Sequence, residues 1–184
     1  KLQGCHLRLW DIAPMPMPPY APSDASMECC DAEIAISSIK AGSVDLLLSS
    51  STMQWFHSVP KFIGKLPLVL SLHGIAAIAL YGKGTYGEIE SVTGRSLSYP
   101  SLEILSDAAR ESGLRILYSA EKRKSICFKS VNTLLKHLKL TGVNALGGDD
   151  GAQASALRLM RSYPTLPDGS APLTYHPLYL ILQK

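Results

Sequence analysis

The chain lacks the features that mark membrane proteins and nucleic-acid-binding proteins. Its longest apolar stretch, residues 66–80, is interrupted by proline, glycine and polar residues and is too short to span a bilayer. Its 18 basic residues against 15 acidic ones leave a net charge of +3. So small a charge gives no argument for binding nucleic acid. We therefore predict neither a transmembrane segment nor a nucleic-acid partner.

Residues that bind metals or form disulfides are few and irregularly placed. There are four cysteines, and no two of them form a CxxC motif: Cys5, Cys29, Cys30 and Cys127. The histidines also lack the mutual spacing of metal ligands. We predict no metal site, and we expect free thiols in a reducing cytoplasm.

The composition is that of a folded protein. Of the 184 residues, 46% are hydrophobic and 18% are charged, which excludes a disordered chain. The length is typical of one domain with a substantial core. We predict a single domain over residues 1–184.

The sequence is organised around residues 44–56, where an apolar run meets a polar loop. Residues 44–48 (VDLLL) have strand length, and an apolar run without alternation suits a strand covered on both faces. Four hydroxyl residues follow at 49–52, before the pair Gln54-Trp55. In parallel sheets ligands bind beyond the carboxyl ends of strands, so residues 49–55 form a candidate site. A loop without a ligand is the alternative interpretation.

Two earlier strands are predicted to end next to an aspartate. Residues 7–10 precede Asp11, and residues 27–30 precede Asp31. A carboxylate just after a parallel strand is suited to accept hydrogen bonds from the two hydroxyls of a nucleoside ribose. The alternative is that each aspartate only caps a turn or a helix. Polar groups at three successive strand ends, with Ser49 as the third, favour one ligand crevice.

The rest of the chain predicts helices and strands in alternation. Helices are expected at residues 59–72 (broken near Pro67), 101–112, 130–140 and 154–163, and strands at 75–81, 114–119, 126–128 and 173–182. We interpret the strands at 114–119 and 126–128 as a hairpin, and residues 85–100 as a linker that covers the crevice. Ser101 and Ser130 are the predicted N-caps.

Several motifs resemble those of one enzyme family. Residues 11–15 (DIAPM), 31–33 (DAE) and 45–55 resemble successive motifs of class I S-adenosylmethionine-dependent methyltransferases. Narrower motifs are SS and QW within 49–55, GTYGEI at 84–89, SYP at 98–100, LKLTGVN at 138–144 and LTYHPLY at 173–179. Together they resemble the malonyl-acyl-carrier-protein O-methyltransferases of biotin synthesis, over essentially the whole chain.

The resemblance implies a fold and a cofactor. The expected fold is α/β and Rossmann-like, with a mostly parallel sheet and an antiparallel C-terminal strand. The expected cofactor is S-adenosyl-L-methionine. Asp11 would accept its ribose hydroxyls, Ile12 would pack on the adenine, and Asp31, with Ala32 beside it, would accept the adenine amino group.

The same resemblance implies where the methyl group would be transferred. Ser49 and Ser50 are expected at the sulfonium side of the cofactor. Gln54 and Trp55 are expected to face the methyl acceptor, with Trp55 as an aromatic wall. A core position is the ordinary alternative for a tryptophan.

One motif of the family has no counterpart in the sequence. The family begins with a helical segment and a central strand, followed by a glycine-rich loop of GxGxG type, and Gly4 alone cannot supply this loop. Loss of a central strand would expose unpaired backbone and much of the core. We therefore expect further residues upstream of Lys1, rather than a chain that cannot bind the cofactor.

The resemblance implies an enzyme that methylates the free carboxylate of malonyl-acyl carrier protein. A carboxylic acid with a reference pKa of about 4 is ionised at neutral pH, so no general base is required. The alternatives are another small-molecule class I methyltransferase, for instance one that methylates carbon in quinone precursors, and a non-catalytic fragment. Candidates to contact the substrate carboxylate or the acidic carrier are basic residues of the later helices: Lys136, Lys139, Arg158 and Arg161. A solvent-facing position is the commoner explanation for such residues.

Overall fold

A computed structural model describes residues 5–141 and 152–184. The strands in these ranges are β1 (Arg8–Asp11), β2 (Ser26–Cys29), β3 (Val44–Ser50), β4 (Leu70–Tyr81), β5 (Arg115–Glu121), β6 (Lys124–Phe128), β7 (Ala171–Tyr175) and β8 (Pro177–Gln183). The α-helices are α1 (Ala32–Ala35), α2 (Val59–Val69), α3 (Gly87–Thr93), α4 (Leu102–Glu111), α5 (Val131–Leu140) and α6 (Ala152–Ser162). A short 3-10 turn, Met53–Trp55, follows β3.

The main sheet has the strand order β3-β4-β8-β5. β3 and β4 are parallel, whereas β8 runs antiparallel to both of its neighbours, β4 and β5. Three strands therefore share one direction and the C-terminal strand opposes them, as predicted. The sheet packs against α2 and α4, and its core includes Phe62, Leu66, Ile78, Leu105 and Leu180.

A second, two-stranded parallel sheet leads to the predicted aspartates, since Asp11 ends β1 and Asp31 follows β2. β1 and β2 pair in register, and the Arg8 guanidinium donates to the Glu28 carboxylate across the pair at 2.8 Å. Trp10 packs against the core of the main sheet, which attaches β1 to the rest of the fold. In the described part of the chain, no strand pairs with β3 on the side away from β4.

A second hydrophobic core lies between α3, α5, α6 and the antiparallel pair β6–β7. Its buried residues include Tyr86, Ile89, Leu134 and Leu173. The predicted N-cap Ser130 accepts a hydrogen bond from the Thr133 amide at 3.3 Å. The other predicted cap is confirmed as well, since the Ser101 hydroxyl accepts from the Ile104 amide at 3.3 Å.

The predicted linker at residues 85–100 is partly wrong, because it contains helix α3. This helix begins after Tyr86, whose backbone has a left-handed φ of 58°, and it ends at Gly94, with a φ of 67°. Gly87 occupies its first position. Glycines at both ends hide so short a helix in the sequence, since they are equally typical of a loop.

The predicted hairpin and the predicted single C-terminal strand are also wrong. β5 pairs with β8 and β6 pairs with β7, so neighbouring strands enter different sheets. Lys122 and Arg123, between β5 and β6, are not the glycine or asparagine that a two-residue hairpin turn requires. Residues 173–182 divide at His176 for the same reason: β7 and β8 have different partners.

The boundary between α2 and β4 differs from the prediction. The helix continues past Pro67 but ends at Val69, and the strand begins at Leu70 rather than at residue 75. A proline in the last turn forfeits only one helical hydrogen bond, so it does not break the helix. The extra residues at the start of β4 include His73, with a φ of 66°, and lie at a shift of register between β3 and β4. Within the described ranges, no helix is long and apolar enough to cross a membrane.

Candidate functional site

A pocket of about 390 Å³ lies where β1, β2 and β3 end. Three segments that are distant in sequence deliver residues to it. Asp11 and Ile12 come from the end of β1, Asp31 and Ala32 follow β2, and Trp55 belongs to the turn after β3. The structure thus brings together five of the residues predicted at the site.

Asp11 is held by a local hydrogen bond and is exposed at the pocket. Its Oδ1 accepts from the Ala13 amide at 2.9 Å, which stabilises the turn out of β1. The next residue, Ile12, leaves 77% of its surface exposed, which is unusual for a large apolar side chain. A carboxylate beside an exposed aliphatic side chain suits a nucleoside, with hydroxyls to bind and a flat base to cover.

Asp31 and Glu33 also line the pocket. Asp31 caps helix α1, since its Oδ1 accepts from the Glu33 amide at 2.8 Å. The Glu33 carboxylate in turn accepts from the backbone amides of His57 at 2.7 Å and Ser58 at 3.0 Å. The Lys65 ammonium donates to the Glu33 carbonyl at 2.7 Å. Glu33 therefore ties the start of α1 to the start of α2, on either side of the pocket.

Burial by itself would raise the pKa of Glu33, but hydrogen bonds from the amides of Ser58 and His57 outweigh it and lower the pKa. We expect Glu33→Gln to reduce the free energy of unfolding at pH 7 by about 1–2 kcal/mol, since a charge-assisted acceptor is lost. A carboxyl group with a lowered pKa stabilises the fold above its unfolded value of about 4.3, and this contribution is lost as the pH falls.

Urea unfolding of both proteins as a function of pH checks this prediction. The difference between them is expected to be full at neutral pH and to shrink as the pH falls below about 4, where Glu33 itself becomes neutral. Glu111→Gln, on the exposed end of α4, is the control and should change little. A difference that is constant with pH would contradict the role of the Glu33 charge.

The turn after β3 is stabilised by its own polar groups. The Ser51 amide donates to the Ala79 carbonyl at 2.9 Å, and Ser51 has a left-handed φ of 54°. The Gln54 side-chain amide donates to the Ser51 carbonyl at 2.7 Å, and its Oε1 is buried with no partner in the described part of the chain. Gln54 itself is not among the residues that line the pocket. Trp55, half-exposed, lines the pocket beside this turn.

Ser49 and Ser50 do not line this pocket. Both are inside β3 and border a separate, shallow depression on the main sheet, together with Ala79 and Tyr179. The hydroxyl residues at the pocket are instead the next two in sequence, Ser51 and Thr52. Strand length explains the difference, because β3 continues through Ser50 before the chain turns.

Sequence reasoning missed several residues that line the pocket: Trp10, Cys30, Glu33, Phe56 and His57. Ser51 and Thr52 lie within the predicted stretch 49–55, but no role was assigned to them. Most of the missed residues are neighbours of predicted residues, so adjacency to a strand end was the available signal. Within the described ranges, no cluster of three or more histidine, cysteine, aspartate or glutamate side chains could hold a metal ion.

Comparison with solved structures identifies the class of fold. The chain superimposes on a proposed methyltransferase of Bacillus halodurans with a TM-score of 0.60, at 9% identity, over 89% of this chain and 73% of the other. A proposed sarcosine dimethylglycine methyltransferase of Galdieria sulphuraria gives a TM-score of 0.50, at 14% identity, over 88% and 60%. The chain therefore has the Rossmann-like fold of class I methyltransferases, as predicted.

Sequence comparison finds relatives within a narrower group of methyltransferases. No family model matches the chain. It is 32% identical to the malonyl-[acyl-carrier protein] O-methyltransferase of Chlorobium phaeovibrioides over 145 residues, which are 78% of this chain and 55% of the relative. The enzyme of the same name from Bacteroides thetaiotaomicron is 34% identical over 76% of this chain and 58% of the relative. The resemblance to these O-methyltransferases is confirmed, and the chain spans about half their length.

Proposed function

We propose that the protein transfers a methyl group from S-adenosyl-L-methionine to the free carboxylate of a malonyl thioester, malonyl-acyl carrier protein. The observation that carries the proposal is the pocket at the ends of two adjacent parallel strands, with Asp11 and Asp31 on its wall. The names of the relatives support the choice of acceptor, and the fold supports the choice of cofactor.

Five residues that line the pocket have proposed roles toward the cofactor or the methyl acceptor. Asp11 accepts the ribose hydroxyls, Ile12 covers one face of the adenine, and Asp31 accepts the adenine amino group beside Ala32. Trp55 forms the wall toward the methyl acceptor.

Gln54 is proposed to face the acceptor through the same turn, where its Oε1 lacks a protein donor in the described residues. Ser51 and Thr52 contribute hydroxyl and backbone groups near the reacting end, with Ser49 and Ser50 supporting them from within β3.

The proposed reaction requires the protein mainly to align the acceptor with the methyl group. The cofactor supplies an electrophilic methyl group on a sulfonium, and the acceptor carboxylate displaces it in line. Because a carboxylic acid with a reference pKa of about 4 is ionised at neutral pH, the side chains need not remove a proton. The protein contributes by orienting the acceptor oxygen and by excluding water from the anion.

Two measurements test the proposal. Isothermal titration calorimetry should detect binding of S-adenosylmethionine by the full protein. Mass spectrometry should then detect a methyl ester on malonyl-acyl carrier protein, and no methyl group on a quinone precursor under the same conditions. Cofactor binding without esterification of malonyl thioesters would contradict the proposed acceptor, and no cofactor binding would contradict the enzyme class.

The proposed carrier partner predicts a charge effect. Lys136 and Lys139 are exposed on α5, where they are free to meet an acidic carrier surface. We expect the double replacement of both by glutamate to raise the KM for malonyl-acyl carrier protein about 3-fold or more, because each exposed ion pair is worth up to about 1 kcal/mol. Lys61→Glu, exposed on α2, is the control. The KM for malonyl-coenzyme A should not change, and equal effects on both substrates would contradict carrier docking.

A further inference from the structure

A cluster of aromatic hydroxyls lies at the same edge of the main sheet as the pocket. Tyr81 is the last residue of β4, and the neighbouring strand β3 runs parallel to it and leads to Ser51 at the pocket. The Tyr175 ring lies 5.7 Å from the Tyr81 ring and 5.1 Å from the Tyr86 ring. The Tyr175 hydroxyl is 2.6 Å from Nε2 of His137. Three phenols and an imidazole, from four separate segments, thus meet beyond the carboxyl end of a parallel strand.

The backbone on both sides of Tyr175 is held in place. The Glu88 carboxylate accepts from the amide of Thr174 at 3.0 Å and from its hydroxyl at 2.5 Å. The Tyr86 amide donates to the Thr174 carbonyl at 2.8 Å, which joins the two tyrosine segments. On the other side, the His176 amide donates to the buried Thr85 hydroxyl at 3.2 Å. Such supporting hydrogen bonds pre-organise a binding group.

The phenols of Tyr86 and Tyr175 keep their protons at neutral pH. Burial raises the pKa of Tyr86 and of Tyr175 above the ordinary value for tyrosine. Burial also raises the pKa of Tyr99, whose phenol interacts with Tyr81, to about 12. A phenol that stays protonated is a hydrogen-bond donor, and a carboxylate is an acceptor only.

The basic residues predicted to bind a carboxylate face solvent rather than this cluster. Lys136 and Lys139 on α5, and Arg158 and Arg161 on α6, are all exposed to solvent. His137, between the two lysines, is instead half-buried and stacks 5.0 Å from Phe128, which fixes its ring next to Tyr175. The inward face of α5 therefore offers an imidazole in place of an ammonium.

We propose that Tyr175, with Tyr86 and Tyr81 around it, binds the carboxylate of the methyl acceptor through phenolic O–H groups, and that His137 is a positioning residue. When Nε2 of His137 carries a proton and donates to the Tyr175 oxygen, the Tyr175 O–H is directed to a different acceptor. A carboxylate placed there receives that O–H, which orients its oxygens for attack on the methyl group. This inference rests on the proposed function.

The decisive variant is Tyr175→Phe, which keeps the ring and removes the hydroxyl. In the full protein we expect the KM for S-malonyl-pantetheine to rise about 10-fold or more, as for the loss of a hydrogen bond to a charged group, while the calorimetric Kd for S-adenosylmethionine stays within a factor of about two. His137→Gln should raise the KM in the same direction. Wild-type protein should bind the malonyl thioester more tightly than its methyl ester, and Tyr175→Phe should lose this preference.

Tyr163→Phe is the matched control. Its hydroxyl donates to the Pro172 carbonyl at 2.6 Å and is buried in the same core, so its loss should lower stability without changing the KM. An unchanged KM and an unchanged preference for the free acid in Tyr175→Phe would overturn the inference while leaving the proposed function intact. Wild-type protein that binds no malonyl thioester at all would overturn both.

Discussion

Asp11→Asn is expected to weaken S-adenosylmethionine binding about 10- to 100-fold. The proposed contact is a pair of hydroxyl donors on a carboxylate, and hydrogen bonds to charged groups are worth about 1.5–3 kcal/mol. At about 1.4 kcal/mol per factor of ten, this loss corresponds to the stated range. Asparagine retains the Oδ1 that accepts from the Ala13 amide, so the turn out of β1 should survive. The loss should therefore appear in the Kd and not in the unfolding free energy.

Isothermal titration calorimetry and urea unfolding, carried out on the same preparations, separate the two effects. Asp107→Asn on α4 is the matched control. It removes an exposed carboxylate that pairs with Arg110, and neither residue lines the pocket. It should leave the Kd unchanged. An Asp11→Asn protein that binds the cofactor as tightly as the wild type would show that Asp11 serves only its turn.

Phe62→Ala is expected to cost about 3–5 kcal/mol of unfolding free energy, the usual range for removal of a buried phenylalanine ring. Phe62 is 4% exposed on the inner face of α2 and belongs to the core of the main sheet. Its ring lies 5.0 Å from the ring of Phe56, which lines the pocket. Because the total stability of a domain is about 5–15 kcal/mol, the variant should be strongly destabilised and its pocket loosened.

Denaturant unfolding measures this loss directly. Leu68→Ala on the same helix is the control, since Leu68 is 68% exposed and its truncation should change stability by no more than about 0.5 kcal/mol. Similar losses for the two variants would mean that α2 does not bury the face assigned to it.

The candidate site was predictable where its residues follow a strand directly. Asp11 and Asp31 were identified because a polar residue after an apolar run marks the carboxyl end of a strand, and such ends share one edge of a parallel sheet. Ser49 and Ser50 lie within β3 rather than after it, because the sequence does not show where pairing with β4 ends. Glu33 could not be assigned, since its partners His57 and Ser58 are about 24 residues away in sequence.

Local pattern by itself determined the longer helices and strands, through the apolar stripe of α4 and α5, their serine caps, and the apolar run of β3, but it did not show the short helices α1 and α3. It also carried the methyltransferase motifs. Only the tertiary structure decided which strands pair, because a strand's hydrogen-bonding edge accepts any partner that the packing of the core brings beside it. For that reason β5 joined β8 and β6 joined β7, and Tyr175, about 90 residues away in sequence, came to lie beside Tyr81 and Tyr86.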